Sequence, residues 1–217
     1  MGRSRRRGAA FLAAFVVLLA GHLNVYAQSA DELLQRLERT YNGHTGLEAE
    51  FTQTMSSAYS DFQESFSGTL LLKGNRYRVE TDRQTLVTDG DVTWIYSVED
   101  NQVLINKNVD SEEALAVNQL FSDYASRFKA TGVDTETVRG QRHFVLHLTP
   151  KDADSFFASV TLWMRASDNI LSRIEIVDQN QTTMSFDLSN VDLNARVDDR
   201  AFTFSPPAGA EVIDLRS

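Results

Sequence analysis

Two histidines, His143 and His147, stand four residues apart in RHFVLHLT. On a helix that spacing sets two imidazoles on one face, where they could share a zinc ion. Here Phe144, Leu146 and Leu148 alternate with His143, Val145 and His147, which is the period of a strand. Four strand residues span about 13 Å, too far for one metal. The pair is therefore expected on a polar face, without a ligand role. His44 stands alone in a Gly-containing turn, and no function is assigned to it.

Carboxylates are abundant but unpaired in pattern. Asp110, Glu112 and Glu113 suit a helix start, where acids complement the macrodipole. Asp152 and Asp154 read as loop residues, and Asp198 and Asp199 precede a short turn. None completes a calcium loop. There is no G-x-S-x-G and no phosphate-cradling glycine loop. The absence of cysteine removes disulfides, thiolate metal sites, thiol nucleophiles and an acylated N-terminal cysteine. The expectation is a protein that is not an enzyme and carries neither metal nor cofactor.

The elements around these residues begin with an export signal. Arg3, Arg5, Arg6 and Arg7 precede an apolar run over residues 9–20, and Val25-Tyr26-Ala27 offers a small-residue cleavage site. The run is short for a membrane span, so residues 1–27 are expected to be removed after Ala27. Residues 28–217 are expected to form one domain. The first 27 residues hold four of the 21 basic side chains and none of the 30 acids, which leaves 17 against 30, a net charge of −13. Such a chain does not suit nucleic acid or an anionic membrane surface.

Ser29-x-x-Glu32 is a capping box, and Leu33, Leu34, Leu37 and Tyr41 form the apolar stripe of a helix over residues 29–42. Strand alternation follows. Leu47, Ala49 and Phe51 share one parity; so do Phe62, Phe66, Leu70 and Leu72, with Gly68 among them. Tyr77 and Val79 alternate with Arg78 and Glu80, and Asp89-Gly90 separates two strands of a hairpin. This stretch predicts an antiparallel meander with one wet face. Val117, Leu120, Phe121, Tyr124 and Phe128 recur at helical spacing, which predicts an amphipathic helix over residues 111–130. Strands resume from residue 133, and Pro206-Pro207 stops one near the C-terminus. The expected fold is mainly β (α+β): about ten or eleven antiparallel strands with two or three helices.

Three stretches carry a resemblance: LEAEFTQT (47–54), LVTDGDVTWIY (86–96) and FTFSPPAGAEVID (202–214). In this order, behind an export signal and without a lipid-bearing cysteine, the chain resembles the outer-membrane lipoprotein carrier family, LolA, over residues 29–215. The missing cysteine separates it from the related outer-membrane receptor LolB. The resemblance implies an unclosed antiparallel β-barrel with a helical lid, whose apolar concave face takes the acyl chains of lipoproteins. It implies a periplasmic monomer loaded by an inner-membrane lipoprotein-releasing ABC transporter. Delivery would be to an outer-membrane receptor or to the outer membrane itself. The alternative is a lipid- or lipoprotein-sensing module of the same fold that regulates a membrane partner.

In one place the chain departs from the family. Members often carry a basic residue and Arg-Pro after the G-x-L segment, and that arginine holds the lid closed. Here Lys73 is followed by Gly74 and there is no proline; Arg76 and Arg78 are the candidates for the role. The resemblance places Tyr77 near the cavity mouth and Trp94 and Tyr96 in the matching hairpin. Parity then adds Phe66, Leu70, Leu72, Val79, Leu120, Phe121, Tyr124, Leu162, Met164, Met184 and Phe186 to the expected acyl cavity.

Overall fold

The computed structural model describes residues 29–43, 45–107 and 124–216. The expected export signal, His44, the acids 110, 112 and 113, and most of the expected helix at 111–130 lie outside them.

Helix α1 (Ala30–Asn42) starts where the capping box predicts. Ser29 Oγ accepts from the Glu32 N–H at 3.2 Å, and the Glu32 carboxylate accepts from the Ser29 N–H at 3.3 Å. Leu33, Leu34, Leu37 and Tyr41, spaced three to four apart, are its buried face.

The rest is one sheet. Its strands are β1 (Leu47–Ser57), β2 (Gln63–Lys73), β3 (Arg76–Thr81), β4 (Gln84–Thr88), β5 (Val92–Ser97) and β6 (Gln102–Lys107). These are followed by β7 (Phe128–Val138), β8 (Gln141–Pro150), β9 (Phe157–Arg165), β10 (Leu171–Asp178), β11 (Thr182–Asp192) and β12 (Glu211–Asp214). Their order is β12-β6-β5-β4-β3-β2-β1-β11-β10-β9-β8-β7, so β12 and β7 are unjoined edges. The sheet is an unclosed barrel of twelve strands, slightly more than predicted. Among the described strands one pair is parallel: β12 beside β6, from Glu211 with Gln102 to Asp214 with Ile105.

Two predictions about elements are corrected. The helix expected to reach Ala130 ends at Arg127. Its described part, α2, is Tyr124–Arg127, and Phe128 to Ala130 already belong to β7, opposite Pro150, Thr149 and Leu148. Phe128 is buried at a position that satisfies a helical period from Tyr124 and a strand period alike; ladder pairing with β8 decides between them. The meander β2–β6 does not have one wet face. On its convex side Val87 and Val103 are fully buried, with Ile105 8% exposed. The C-terminal segment covers them, through a 3₁₀ turn (Asp199–Phe202) that buries Phe202 and through Phe204, whose ring lies 6.1 Å from that of Tyr96.

Candidate functional site on the concave face

Register determines which side chains share the concave face. Leu72 stands beside Tyr77, Leu70 beside Val79, Val79 beside Leu86 and Leu86 beside Ile95. On the other half Phe186 stands beside Ile174, Ile174 beside Leu162, and Met164 beside Phe144. These residues, with the buried stripe of α1, form one apolar cluster.

The cluster is unevenly covered. Helix α1 packs against α2, β7 and β8, and its Leu33 and Leu37 are fully buried, as are Leu146, Leu162 and Met164 of the sheet. The helix is fastened there by polar contacts. Tyr41 Oη accepts from the Leu171 N–H at 3.0 Å, Arg36 Nη2 donates to Asn169 Oδ1 at 2.6 Å, and the Ala125 N–H donates to Glu38 Oε1 at 2.7 Å. Burial raises the pKa of both Tyr41 and Tyr124, so each stays a neutral phenol.

Over β2, β1 and β11 the same face is only partly buried. Three cross-strand rows run there: Leu188–Phe51–Gly68, Phe186–Gln53–Phe66 and Met184–Met55–Glu64. Phe66, Met184, Phe186 and Leu188 pack against the buried cluster yet remain partly accessible. Gly68 makes this surface possible at its centre. A Cβ there would lie 2.3 Å from the Glu80 carbonyl oxygen and 2.8 Å from Cζ of Phe51, so the Phe51 ring lies directly over it.

Phe66, Leu70, Leu72, Tyr77, Val79, Tyr124, Leu162, Met164, Met184 and Phe186 thus belong to one concave apolar cluster. Leu120 and Phe121 lie outside the described residues. Trp94 and Tyr96 do not join the cluster. Trp94 pairs with Val87 and Ile105, and Tyr96 with Thr85 and Val103, on the convex side. The signal for this was present in the sequence. A two-residue hairpin turn pairs even positions with odd ones, so if Leu86 faces inward, Ile95 does too and Trp94 does not. Phe51, Phe144, Leu188 and Ile174 were missed on the same face; their place depends on register across β1, β11 and β8.

Neither candidate for the lost arginine turns towards the concave side. Arg76 donates to Asp199 at 3.1 Å and lies 5.1 Å over the Phe202 ring; Arg78 pairs with Glu80 and donates to the Ala201 carbonyl at 3.2 Å. Lys73 Nζ donates to Asp199 Oδ1 at 2.5 Å and to the Val197 carbonyl at 3.1 Å. The three clamp the C-terminal segment to the convex face. A recess of about 420 Å³ lies beside them, lined by Thr45, Lys73, Ala195, Arg196, Val197 and Asp198.

His143 and His147 are separated by environment, and His143 corrects the polar-face expectation. It is 2% exposed, with Nδ1 2.9 Å from the Gln141 carbonyl oxygen. His147 pairs with Asp134 at 2.9 Å near solvent. Among the described residues no three His, Asp or Glu side chains converge on a metal position.

The site is therefore an apolar, partly covered concave surface in an open sheet. Residues 42–205 match the family described as outer membrane lipoprotein carrier protein LolA. The chain belongs to that family. It is 27% identical over 204 residues to the outer-membrane lipoprotein carrier protein of Idiomarina loihiensis, covering 92% of this chain and 96% of that one. It is 28% identical over 214 residues to the carrier protein of Bordetella pertussis, covering 97% and 98%. In fold it is similar to an uncharacterized conserved protein of Thermus thermophilus, with TM-score 0.55 and 16% identity over 86% of this chain and 99% of that one. For a LolA member the tyrosine and tryptophan of the family-like hairpin thus serve a convex-side packing layer here.

Proposed function

We propose that the chain is a periplasmic, non-enzymatic carrier that shields the acyl chains of lipoproteins on its concave face. It would receive them from an inner-membrane lipoprotein-releasing ABC transporter and pass them to an outer-membrane receptor or to the outer membrane. Residues 1–27 would be its cleaved export signal, and residues 28–217 its single carrier domain. The carrier names of its full-length relatives support this reading. The observation that carries it is the partly covered row Phe186–Gln53–Phe66 with its neighbours Met184 and Leu188.

The energetics suit such a surface. Removing a methylene from water is worth about 0.8 kcal/mol, so one long chain is worth on the order of 10 kcal/mol. A lipoprotein does not leave a bilayer unaided against that cost. The carrier must offer apolar area that is available before the cargo arrives and can be released afterwards. Met184 and Met55 are flexible and polarisable, and repack around a guest more readily than branched side chains. The fully buried Leu70, Leu72, Tyr77, Leu162, Met164 and Tyr124 form the wall behind; Phe66, Val79, Met184 and Phe186 make the contact.

The test is isolation of the exported chain from its native envelope without detergent, followed by intact-mass spectrometry. Co-purified acylated lipoprotein, lost in Phe66→Glu and Phe186→Glu, is the expected result. An empty protein, or phospholipid alone, would overturn the lipoprotein assignment.

A further inference from the structure

Six large hydrophobic side chains are exposed among the described residues, and four of them lie at one end of the barrel. Tyr59 (80% exposed) and Phe62 (48%) are in the β1–β2 loop, Phe156 (58%) in the β8–β9 loop and Val98 (47%) in the β5–β6 turn. The turns of the opposite end, at 74–75, 89–91, 139–140 and 166–170, carry none among the described residues; the other two, Val212 and Leu215, lie on and just after the edge strand β12.

The loops of this end are joined to one another. Val98 N–H donates to the Arg83 carbonyl at 2.9 Å, Arg83 pairs with Glu64 at the start of β2, Ala58 N–H donates to the Gln181 carbonyl at 3.2 Å, and Gln179 N–H donates to the Phe156 carbonyl at 3.1 Å. The β5–β6, β3–β4, β1–β2, β10–β11 and β8–β9 connections therefore form a continuous rim. The rim also leads inward, since Phe156 packs edge-on against Phe157 at 5.7 Å, and Phe157 lies 6.4 Å from Phe128 in the core.

Its charge is one-sided. Among the described residues the rim carries Asp61, Asp82, Glu99, Asp100, Asp152 and Asp154, all exposed, against Arg83 and Lys151, with Arg127 and Lys129 at the adjoining start of β7. The two rim cations are engaged, Arg83 with Glu64 and Lys151 Nζ with the Ala125 carbonyl at 2.5 Å. Apolar anchors ringed by like charge recognise a surface of the opposite charge and repel one of the same charge.

We propose that this rim is a docking surface for an envelope protein segment carrying lysine or arginine beside apolar side chains. Tyr59, Phe62 and Phe156 would be the anchors, and the six acids the steering charge. An anionic lipid surface is disfavoured by the same field. The proposal does not depend on what the concave face holds.

The test replaces Tyr59, Phe62 or Phe156 singly with a photo-cross-linking p-benzoylphenylalanine in the full chain, in its native cell. The expected result is one common protein adduct from all three positions, mapped to a lysine- or arginine-bearing peptide. Its yield should fall at least tenfold in Asp61→Lys/Glu99→Lys/Asp154→Lys, which spares Asp100 and Asp152, the carboxylates that cap their own loops. Raising salt in isolated envelopes should weaken the adduct of the otherwise unchanged chain in the same way, which keeps the test decisive if the triple variant fails to fold. Lipid adducts alone, a partner peptide without basic residues, a yield indifferent to both charge and salt, or no adduct would overturn the proposal.

Discussion

The phenol of Tyr41, at the end of α1, accepts the backbone N–H of Leu171, at the start of β10, and both residues are 1% exposed. This bond joins the one long described helix to the sheet it covers. Tyr41→Phe keeps the ring but leaves a buried N–H without its acceptor. An unsatisfied buried donor costs about 1–3 kcal/mol. Chemical denaturation should show a loss in that range, with the far-UV spectrum unchanged.

Gly68 is required by the Glu80 carbonyl and the Phe51 ring packed against it rather than by its own backbone angles. Gly68→Ala places a methyl within 3 Å of the Glu80 carbonyl and the Phe51 ring. Overpacking of this kind costs about 1–3 kcal/mol. The double variant Gly68→Ala/Phe51→Ala should be less destabilised than the sum of the two single changes. Strict additivity in denaturation would show that the ring and the glycine are not coupled.

The two faces of the sheet should separate binding from stability. Phe186→Glu, on the concave face, is expected to lower affinity for a fluorescent acyl probe at least tenfold while shifting the melting temperature little. Trp94→Ala, on the convex face, is expected to leave acyl-probe affinity within twofold and to lower stability by a few kcal/mol, as large-to-small changes at packed aromatics do. The reverse pattern in a paired binding and melting experiment would put the acyl site on the wrong side of the sheet.

The clamp on the C-terminal segment should open in acid. Hydrogen bonding from Lys73, with the charges of Arg76 and Lys73, holds the Asp199 carboxyl below its ordinary 3.8. Within the segment itself the Arg200 side chain does the same for Asp198, and that of Arg216 lowers Asp214 to about 2. A carboxyl depressed in the folded state contributes stability that is fully present above its unfolded value and is lost as pH falls through the folded one. Protection of residues 197–214 against hydrogen exchange, corrected for the intrinsic pH dependence of the exchange rate, should therefore fall between about pH 4 and 2, ahead of protection in β8 and β9. Asp199→Asn should show the lowered protection already at neutral pH.

By itself the sequence determined the local pieces. The capping box and leucine stripe determined α1, because both act within a few residues. Alternation determined nearly every strand, and Leu70, Leu72, Tyr77, Val79, Met184 and Phe186 were legible as one apolar set. What alternation cannot do is say which of its two sets faces inward, since a period of two yields two equivalent classes. Hairpin parity ties Ile95 to Leu86 and Trp94 to Val87, but only the sheet decided that the Leu86–Ile95 set is the inward one and that His143 is buried instead of wet. The same holds for Phe128, where pairing with Pro150 overrode a helical spacing. The parallel strand β12 and the cover it helps place over Val87 and Val103 depend on contacts between residues about a hundred positions apart. Such contacts leave no local pattern, because their free energy comes from surfaces that meet only after the chain has folded.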